Sequence, residues 1–292
     1  MFDEAARHEC FKQAAESLFV TQSAVSKQIL RLEKSLGVAL FKRKYGGAKL
    51  TSEGKAFYEA IFPAMDMIEH ANKIFVAPND EELLGVNIPH SMGFGWMHSK
   101  ISAFHENFPN FPLRVFCDDD VEAVSRHGID VGITCLETET EMARELEPLF
   151  EEELVLVMSR NLLSSRAVNR VQDLIDYPLI GQNDRPDIWD KLFQRHGVIG
   201  RRTACRYSFQ HFFMVQKAVE SSLGVGLVPR YLCQSLIESG LLYNPLGLST
   251  KSGFSYYMQI PVHKREFRKV ILFSNWLRNE ICLETTKFRT AS

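Results

Sequence analysis

The sequence lacks the features that would anchor a chain in a membrane or cross-link it with disulfides. No apolar run approaches the roughly 18 residues that span a bilayer, and the first helical stretch has no signal-peptide core. The six cysteines stand singly, with no CxxC pair, at Cys10, Cys117, Cys135, Cys205, Cys233 and Cys282. Isolated cysteines are typical of free thiols in a cytosolic protein. We therefore expect a cytoplasmic protein with no membrane partner.

Catalytic motifs are also missing. The sequence has no GxSxG, GxxxxGK[ST] or HExxH, and "GFG" at 93–95 lacks the third glycine of a dinucleotide loop. Four histidines, His8, His105, His127 and His211, are isolated in the sequence, which favours structural roles over metal ligation. The sequence thus predicts no catalytic residue, no metal ligand and no cofactor, and it argues against an enzyme.

Positive charge is concentrated near the N-terminus. The whole chain of 292 residues carries a formal charge of -2, but residues 12–49 contain eight basic and two acidic side chains, so this stretch carries +6 and the rest -8. Such asymmetry indicates an anionic partner for the N-terminal region. A hydrophobic fraction of 45% with 24% charged residues predicts a globular protein of two or three domains.

Two short helices are predicted inside this basic region. Phe11, Ala14, Ala15 and Leu18 recur at helical spacing, and Val25, Ile29 and Leu32 form the buried stripe of a second helix. Thr21 is a suitable N-cap for that helix, and Gly37 is a suitable left-handed end. Two helices joined by a tight break predict a helix-turn-helix.

The outer face of the second helix suits the major groove of double-stranded DNA. Glutamine, serine and lysine can bond to base edges, while a helix N-terminus can bind phosphate. The segment "LFKRKYGGAKLT" adds a basic hairpin turning at Tyr45-Gly46-Gly47, which is typical of a wing beside the DNA backbone. The predicted DNA-binding residues are Thr21, Gln22, Ser23, Ser26, Lys27, Arg31, Arg43 and Lys49. In the alternative interpretation, a small-molecule binding protein uses these helices for protein contacts.

The motifs of this region resemble one family closely. "AAES", "VTQSAVSKQI", "LEKSLG", "LFKR" and "LTSEG" follow in the order found in the winged helix-turn-helix of LysR-type transcriptional regulators. These motifs are most similar to those of the branch that contains the glycine-cleavage activators and β-lactamase regulators. The resemblance implies a start further upstream, so the first helix is expected to be truncated or Met1 misassigned. Cys10 stands where the family commonly has serine.

A long helix is predicted from Thr51 to about Val76. Phe57, Ile61, Met65, Ile68 and Phe75 form its apolar stripe, and Pro63 should kink it. The resemblance implies a dimerisation helix; the alternative is packing against the chain's own second domain. The polar stretch "APNDEE" at 77–82 is the expected hinge.

Strands alternate with amphipathic helices after the hinge, which predicts an α/β domain with a parallel-rich sheet. The resemblance implies a two-lobed effector-binding domain like a periplasmic binding protein. The expected boundaries are 1–54 for the winged helix-turn-helix, 55–82 for the linker helix and hinge, and 83–292 for the effector domain. Within that domain, lobe one should comprise 85–158 and 264–292, and lobe two 159–263.

Ligands of open α/β sheets bind at the carboxyl ends of strands. The effector-binding residues predicted on this basis are Ser91, Met92, Thr134, Cys135, Gln182, Asn183, Ser208, Gln210 and His211. They offer hydroxyls, amides and helix N-termini, with no aromatic cluster and no fixed cation. The expected partners are double-stranded DNA, a small-molecule effector and further copies of the chain as a homodimer or homotetramer. RNA polymerase is a further partner that the resemblance allows.

Overall fold

The computed structural model describes residues 1–44, 47–76, 83–109, 111–125, 128–165, 167–198 and 204–290. The chain forms two compact units, one within residues 1–81 and one that begins after them. Each unit is described by itself below. Among the described helices, none combines the length and apolar character needed to cross a membrane.

The first unit is a winged helix-turn-helix followed by a long helix. Its elements are α1 (Phe2–His8), α2 (Phe11–Ser17), α3 (Gln22–Leu36), β1 (Phe41–Lys44), β2 (Gly47–Leu50) and α4 (Ser52–Val76). The Thr21 hydroxyl caps α3 by accepting the Ala24 N–H at 3.3 Å, and Gly37 ends α3 at φ 73°. The predicted helix pair, cap and stop are confirmed. The turn residues Tyr45 and Gly46 lie outside the described part.

A small set of polar contacts holds the wing against the helices. Oε1 of Glu33 in α3 accepts the backbone N–H groups of Leu40 at 2.8 Å and Phe41 at 3.1 Å. Thr51, which is buried, donates its hydroxyl to the Ala39 carbonyl at 2.7 Å and accepts the Gly54 N–H at 2.9 Å. A Cβ on Gly54 would overlap the Leu40 carbonyl oxygen, so glycine is required there. The motif "LTSEG" therefore connects the wing to the long helix through the contacts of Thr51 and Gly54.

The apolar stripe of α4 divides along its length. Phe57 and Ile61 pack on the core of the first unit, whereas Met65 is 39% exposed and Ile68 55% exposed. Phe75 and the predicted hinge at 77–82 lie outside the residues whose side chains are described. Pro63 lies inside the helix, as expected.

The second unit contains nine strands and eight helices among its described residues. The strands are β3 (Leu84–Ile88), β4 (Leu113–Cys117), β5 (Val131–Glu137), β6 (Glu147–Ser159), β7 (Ile180–Gln182), β8 (Tyr207–Phe209), β9 (Gly226–Pro229), β10 (Leu242–Tyr243) and β11 (Ser249–Gln259). The helices are α5 (His90–Met92), α6 (His98–Asn107), α7 (Glu141–Glu145), α8 (Arg160–Ser165), α9 (Ile188–Arg195), α10 (Phe212–Glu220), α11 (Arg230–Glu238) and α12 (Arg268–Thr290). A π-helical turn, Gly93–Met97, joins α5 to α6.

The main sheet is mixed, which differs from the parallel-rich sheet expected. Its order is β10-β6-β11-β5-β3-β4, and β9 also pairs with β6. The β3–β4 and β3–β5 pairs are parallel, but β11 runs antiparallel to both β5 and β6. The polar, serine-rich start of β11 conceals it in the sequence, because its first half is not fully buried.

The two lobes meet within β6 and β11 rather than after them. Leu154–Met158 pack in the core of lobe two, whereas Phe150, Tyr256 and Met258 pack in that of lobe one. The register between these strands shifts between Lys251 and Ser255, where Gly253 has φ 89°. The residues of these strands thus change from one core to the other at about 151–154 and 251–255, and the expected lobe boundaries at 158/159 and 263/264 stay a prediction. Each long strand therefore contributes to both cores.

A buried charge cluster ties lobe one together. The Asp130 carboxylate bonds to Lys264 Nζ at 3.2 Å, Lys269 Nζ at 2.9 Å and the Gly85 N–H at 2.9 Å. Lys264 is 2% exposed and also donates to the Ile129 carbonyl at 2.9 Å. Asp130 thus joins the start of β3 and β5 to the chain that leads into α12.

We predict that Asp130→Ala destabilises the second unit by about 3–5 kcal/mol, because it removes the buried carboxylate that pairs with the ammonium groups of Lys264 and Lys269. Glu147→Ala is the control, since its pair with Arg278 is 42% exposed on both sides and should contribute under about 1 kcal/mol. All three tryptophans, Trp96, Trp189 and Trp276, lie in this unit. Urea unfolding followed by tryptophan fluorescence therefore reports on it alone; equal losses in both variants would contradict the prediction.

Candidate functional site

The first candidate site is the outer face of α3. Thr21, Gln22, Ser23, Lys27 and Arg31 are exposed, and Ser26 is half-buried. The Thr21 and Ser23 hydroxyls lie 3.0 Å apart at the N-terminus of the helix, where free N–H groups favour an anion. This face is backed by Val25 and Ile29, which are buried against the other helices.

The wing adds positive charge beside that face. Lys42 of β1 lies directly opposite Lys49 of β2, and both are exposed. Like charges in directly opposite positions destabilise a hairpin unless an anion compensates them. Lys49 lies 3.9 Å from Glu9, at the limit of an ion pair. The side chain of Arg43 lies outside the described residues.

The second candidate site is a cavity of about 180 Å³ between the lobes of the second unit. That volume is below the roughly 300–1,000 Å³ of pockets for drug-sized ligands, so the cavity suits a smaller ligand. Of the residues predicted from the sequence, Ser91, Cys135, Gln182, Gln210 and His211 line it. They come from the carboxyl ends of β3, β5, β7 and β8, as parallel strand ends predict.

Four predicted residues do not line this cavity. Met92 is fully buried in the core of lobe one, and Thr134 lies on the strand face opposite Cys135. Ser208 donates its hydroxyl to Oδ1 of Asn183 at 2.5 Å, so these two side chains bond to each other. Their role as effector contacts stays a prediction.

The expectation that the cleft has no fixed cation and no aromatic cluster is wrong. Arg185 lies in the cavity with its guanidinium carbon 3.7 Å from the centre of the Phe254 ring and 5.2 Å from that of Phe212. Its Nη1 donates to Oε2 of Glu152, which is 1% exposed. Arg185 follows β7 by three residues, and its stacking against Phe254 depends on the undetected strand β11. Only the position of Arg185 after a strand end signalled it in the sequence.

A hydrogen-bonded network surrounds this ion pair. Oε1 of Glu152 accepts the Tyr256 hydroxyl at 3.1 Å, and the Tyr256 and Tyr231 hydroxyls lie 2.7 Å apart. Burial raises the pKa of both tyrosines well above the usual value. Burial and the Glu152 charge also raise the pKa of the Cys135 thiol, so Cys135 is neutral and contributes no charge. Burial opposes the charge of Arg185, but the Glu152 carboxylate outweighs it and the pKa of the guanidinium is raised.

Gln182 lines the cavity and has a side-chain acceptor without a partner. Its side chain is 6% exposed, and its Nε2 donates to Asp184 Oδ2 at 3.0 Å and to the Gln210 carbonyl at 2.6 Å. Its Oε1 is buried without a hydrogen-bond partner among the described residues. A buried, unpaired polar atom costs about 1–3 kcal/mol. A ligand N–H bonded to this oxygen would remove that cost.

The cavity mouth brings together side chains that are distant in sequence. His90 begins α5, Asp119 follows β4, and His211 precedes α10. Nδ1 of His90 lies 3.2 Å, and Nδ1 of His211 3.3 Å, from Oδ2 of Asp119. The isolated histidine at 211 therefore has ionisable partners that the sequence did not reveal.

A larger cavity of about 760 Å³ lies elsewhere in the second unit. Its charged groups already have partners: Arg230 bonds to Glu153 through two nitrogens at 2.5 and 2.8 Å, and Lys251 bonds to Glu151 at 2.6 Å. Arg230 also lowers the pKa of Glu153 by donating these bonds, against the opposing effect of burial. We therefore consider the smaller cavity, with its unmet acceptor, the better candidate for an effector site.

A winged helix-turn-helix joined to a two-lobed α/β ligand-binding domain defines a DNA-binding regulator that responds to a small molecule. Residues 1–55 match the bacterial regulatory helix-turn-helix of the lysR family, and residues 79–281 match the LysR substrate binding domain. The chain belongs to the LysR family and is a LysR-type transcriptional regulator. This membership removes the alternative that the N-terminal helices serve only protein contacts.

Relatives share the full architecture. The glycine cleavage system transcriptional activator of Escherichia coli K12 is 30% identical over 290 residues, covering 99% of this chain and 94% of the relative. The transcriptional activator AmpR of Providencia stuartii is 28% identical, covering 96% and 94%. The predicted branch is confirmed. The crystal structure of ArgP from Mycobacterium tuberculosis has a TM-score of 0.70 at 18% identity, covering 96% and 94%, and so supports the fold.

Proposed function

We propose that the exposed face of α3 reads the major groove of operator DNA while the wing holds the DNA backbone. The observation that carries the proposal is the facing pair Lys42 and Lys49 on the wing. Gln22 and Lys27 would contact base edges, and Thr21, Ser23, Ser26 and Arg31 would contact bases or phosphates. Lys49 and Arg43 would hold the wing on phosphate. Because operator DNA is the partner, we place the protein in the cytoplasm.

We predict that Gln22→Ala combined with Lys27→Ala weakens operator binding by at least about tenfold, since each base contact contributes about 1–3 kcal/mol of discrimination. Lys55→Ala is the control, because Lys55 is an equally exposed cation on α4 that pairs with Glu59. Fluorescence anisotropy with the DNA upstream of the gene measures both. Unchanged affinity in the double variant would refute the assignment of this face.

We also propose that α4 pairs two copies of the chain. Met65 and Ile68, three residues apart on one face of the helix, are 39% and 55% exposed, and Met67 beside them is 52% exposed. A long helix with such an exposed apolar surface needs an apolar partner. A second copy fits, because a dimer presents two DNA-binding heads to two half-sites. Both a dimer and a dimer of dimers are compatible with this arrangement.

We predict that Met65→Glu with Ile68→Glu dissociates the dimer and abolishes tight operator binding, because four carboxylates would be buried in each interface. Neither side chain packs in the core of its own unit, so the heads should stay folded. Lys55→Glu on the same helix is the matched control. Sedimentation velocity decides; a variant that remains dimeric would show that the interface lies elsewhere.

We propose that the cavity between the lobes binds the effector. Arg185 offers a cation, whereas Asp119, Asp184 and Glu152 offer carboxylates, and Gln182 offers an unmet acceptor. Groups of both signs within about 180 Å³ suit a small zwitterion, with its anionic end toward Arg185 and its N–H groups toward the carboxylates and Gln182. Binding would shift the lobe arrangement and thereby the DNA complex. The protein would act by binding DNA and effector, without catalysing a reaction. RNA polymerase would be its partner in activation.

We predict that a small amino acid binds the full-length protein and that Gln182→Ala weakens this binding by about 5–100-fold, the equivalent of about 1–3 kcal/mol. Gln194→Ala, on the exposed face of α9, is the control. Calorimetry with the individual amino acids measures the affinities. An amino acid that binds all three proteins equally would place the effector outside this cavity.

A further inference from the structure

Three metal-ligating side chains meet at the interface of the two lobes. His90 and Asp119 belong to lobe one and His211 to lobe two, and their ligand atoms all lie within 4.8 Å of one another. Among the described residues, no other group of three histidine, cysteine or carboxylate side chains is placed in this way. The side chains are half-exposed to half-buried, at 37%, 51% and 17%, so an ion can reach them.

The spacing fits a tetrahedral metal. Zinc lies about 2.0–2.1 Å from nitrogen and oxygen ligands, so adjacent ligands of a tetrahedron lie roughly 3.3 Å apart. The two distances from histidine Nδ1 to Asp119 Oδ2 are 3.2 and 3.3 Å. Because the lone pair of a ring nitrogen lies in the plane of its ring, both imidazoles would turn out of their stacked arrangement to bind one ion.

The three ligands are held in place by neighbours. Oδ1 of Asp119 accepts the backbone N–H of His90 at 3.0 Å, which leaves Oδ2 directed at both imidazoles. The His90 and His211 rings stack with centroids 4.4 Å apart, and the His211 ring in turn stacks on Phe213 at 5.7 Å. The hydrogen bond to Oδ1 of Asp119 is the kind of outer contact that orients a metal ligand.

Charge also favours a cation at this position. Asp118 and Asp120 flank Asp119 in the chain and add negative charge near the site. Two nitrogens and one carboxylate are a ligand set preferred by zinc, cobalt or nickel rather than by magnesium or calcium.

We propose that His90, Asp119 and His211 bind a divalent transition-metal ion of the zinc type and thereby link lobe one to lobe two. Three protein ligands leave a fourth position open, as in zinc sites that accept water or a ligand. Asp119 and His211 also line the smaller cavity, so that position lies beside it. The binding of the ion does not depend on the effector proposal, because the three side chains supply it directly.

The test titrates the full-length protein with Zn²⁺ and Co²⁺. The wild type should bind one equivalent per chain, gain thermal stability with Zn²⁺ by ligand linkage, and show the visible absorption of four-coordinate Co²⁺. His90→Gln with His211→Gln should lose at least about 100-fold in Zn²⁺ affinity, since the loss of even an outer-shell partner costs 10–100-fold. Mg²⁺ should have no effect on either protein.

The matched control is His98→Gln with His196→Gln, which removes two exposed histidines of the same unit and should leave Zn²⁺ affinity unchanged. Asp119→Asn is a second variant at an exposed position, and tryptophan fluorescence verifies that each variant is folded. The proposal is overturned if the wild type binds neither ion at about 100 μM, or if the folded double variant binds Zn²⁺ as tightly as the control. A failure to find an organic effector would not change either result, because Zn²⁺ binding is measured without one.

Discussion

The burial of the Arg185 guanidinium beside Glu152 is the constraint on which the ligand-binding unit depends. A buried charge costs several kcal/mol unless it is paired, and removing one partner of such a pair typically costs 3–5 kcal/mol. Glu152 belongs to the strand that passes from one lobe to the other, and Arg185 follows a strand of lobe two. The pair therefore links the crossing strand to lobe two. Both side chains line the small cavity between the lobes.

The aromatic residues around this pair explain how Arg185 and Glu152 can be shielded from water and still line the ligand cavity. Phe254 covers one face of the guanidinium at 3.7 Å, while Tyr256 and Tyr231 extend the hydrogen bonding of Glu152 into lobe one. A ligand that brings its own carboxylate can share Arg185 without exposing it to water. In the proposed effector complex, the ligand and the lobe interface would use the same charges, and this would couple ligand binding to lobe position.

The DNA-binding unit follows a different principle, since its positive groups are exposed at the surface. Lys42 and Lys49 face each other on the wing, and the exposed side of α3 carries Lys27 and Arg31. The core beneath them is small and depends on close alanine contacts and on the joint formed by Glu33, Thr51 and Gly54. The buried face of these helices thus provides stability, and the exposed face carries the basic groups.

The amino-acid sequence by itself determined the DNA-binding unit almost completely. Its helices obey local rules: Thr21 caps α3, Gly37 ends it, and the spacing of Val25 and Ile29 defines the buried face. These signals span only a few residues each, so no distant contact is needed to recognise them. The exposed part of α4 was likewise visible as an apolar stripe with no partner nearby.

Only the tertiary structure decided the composition of the ligand site. Arg185 meets Glu152 from 33 residues away, and His211 meets Asp119 from 92, pairings that no local pattern encodes. The polar start of β11 hid the strand that brings Phe254 to Arg185, and this also concealed where the lobes cross. Strand ends predicted which loops converge, because parallel strands share an edge. Which side chains of those loops meet depended on the packing of the whole domain.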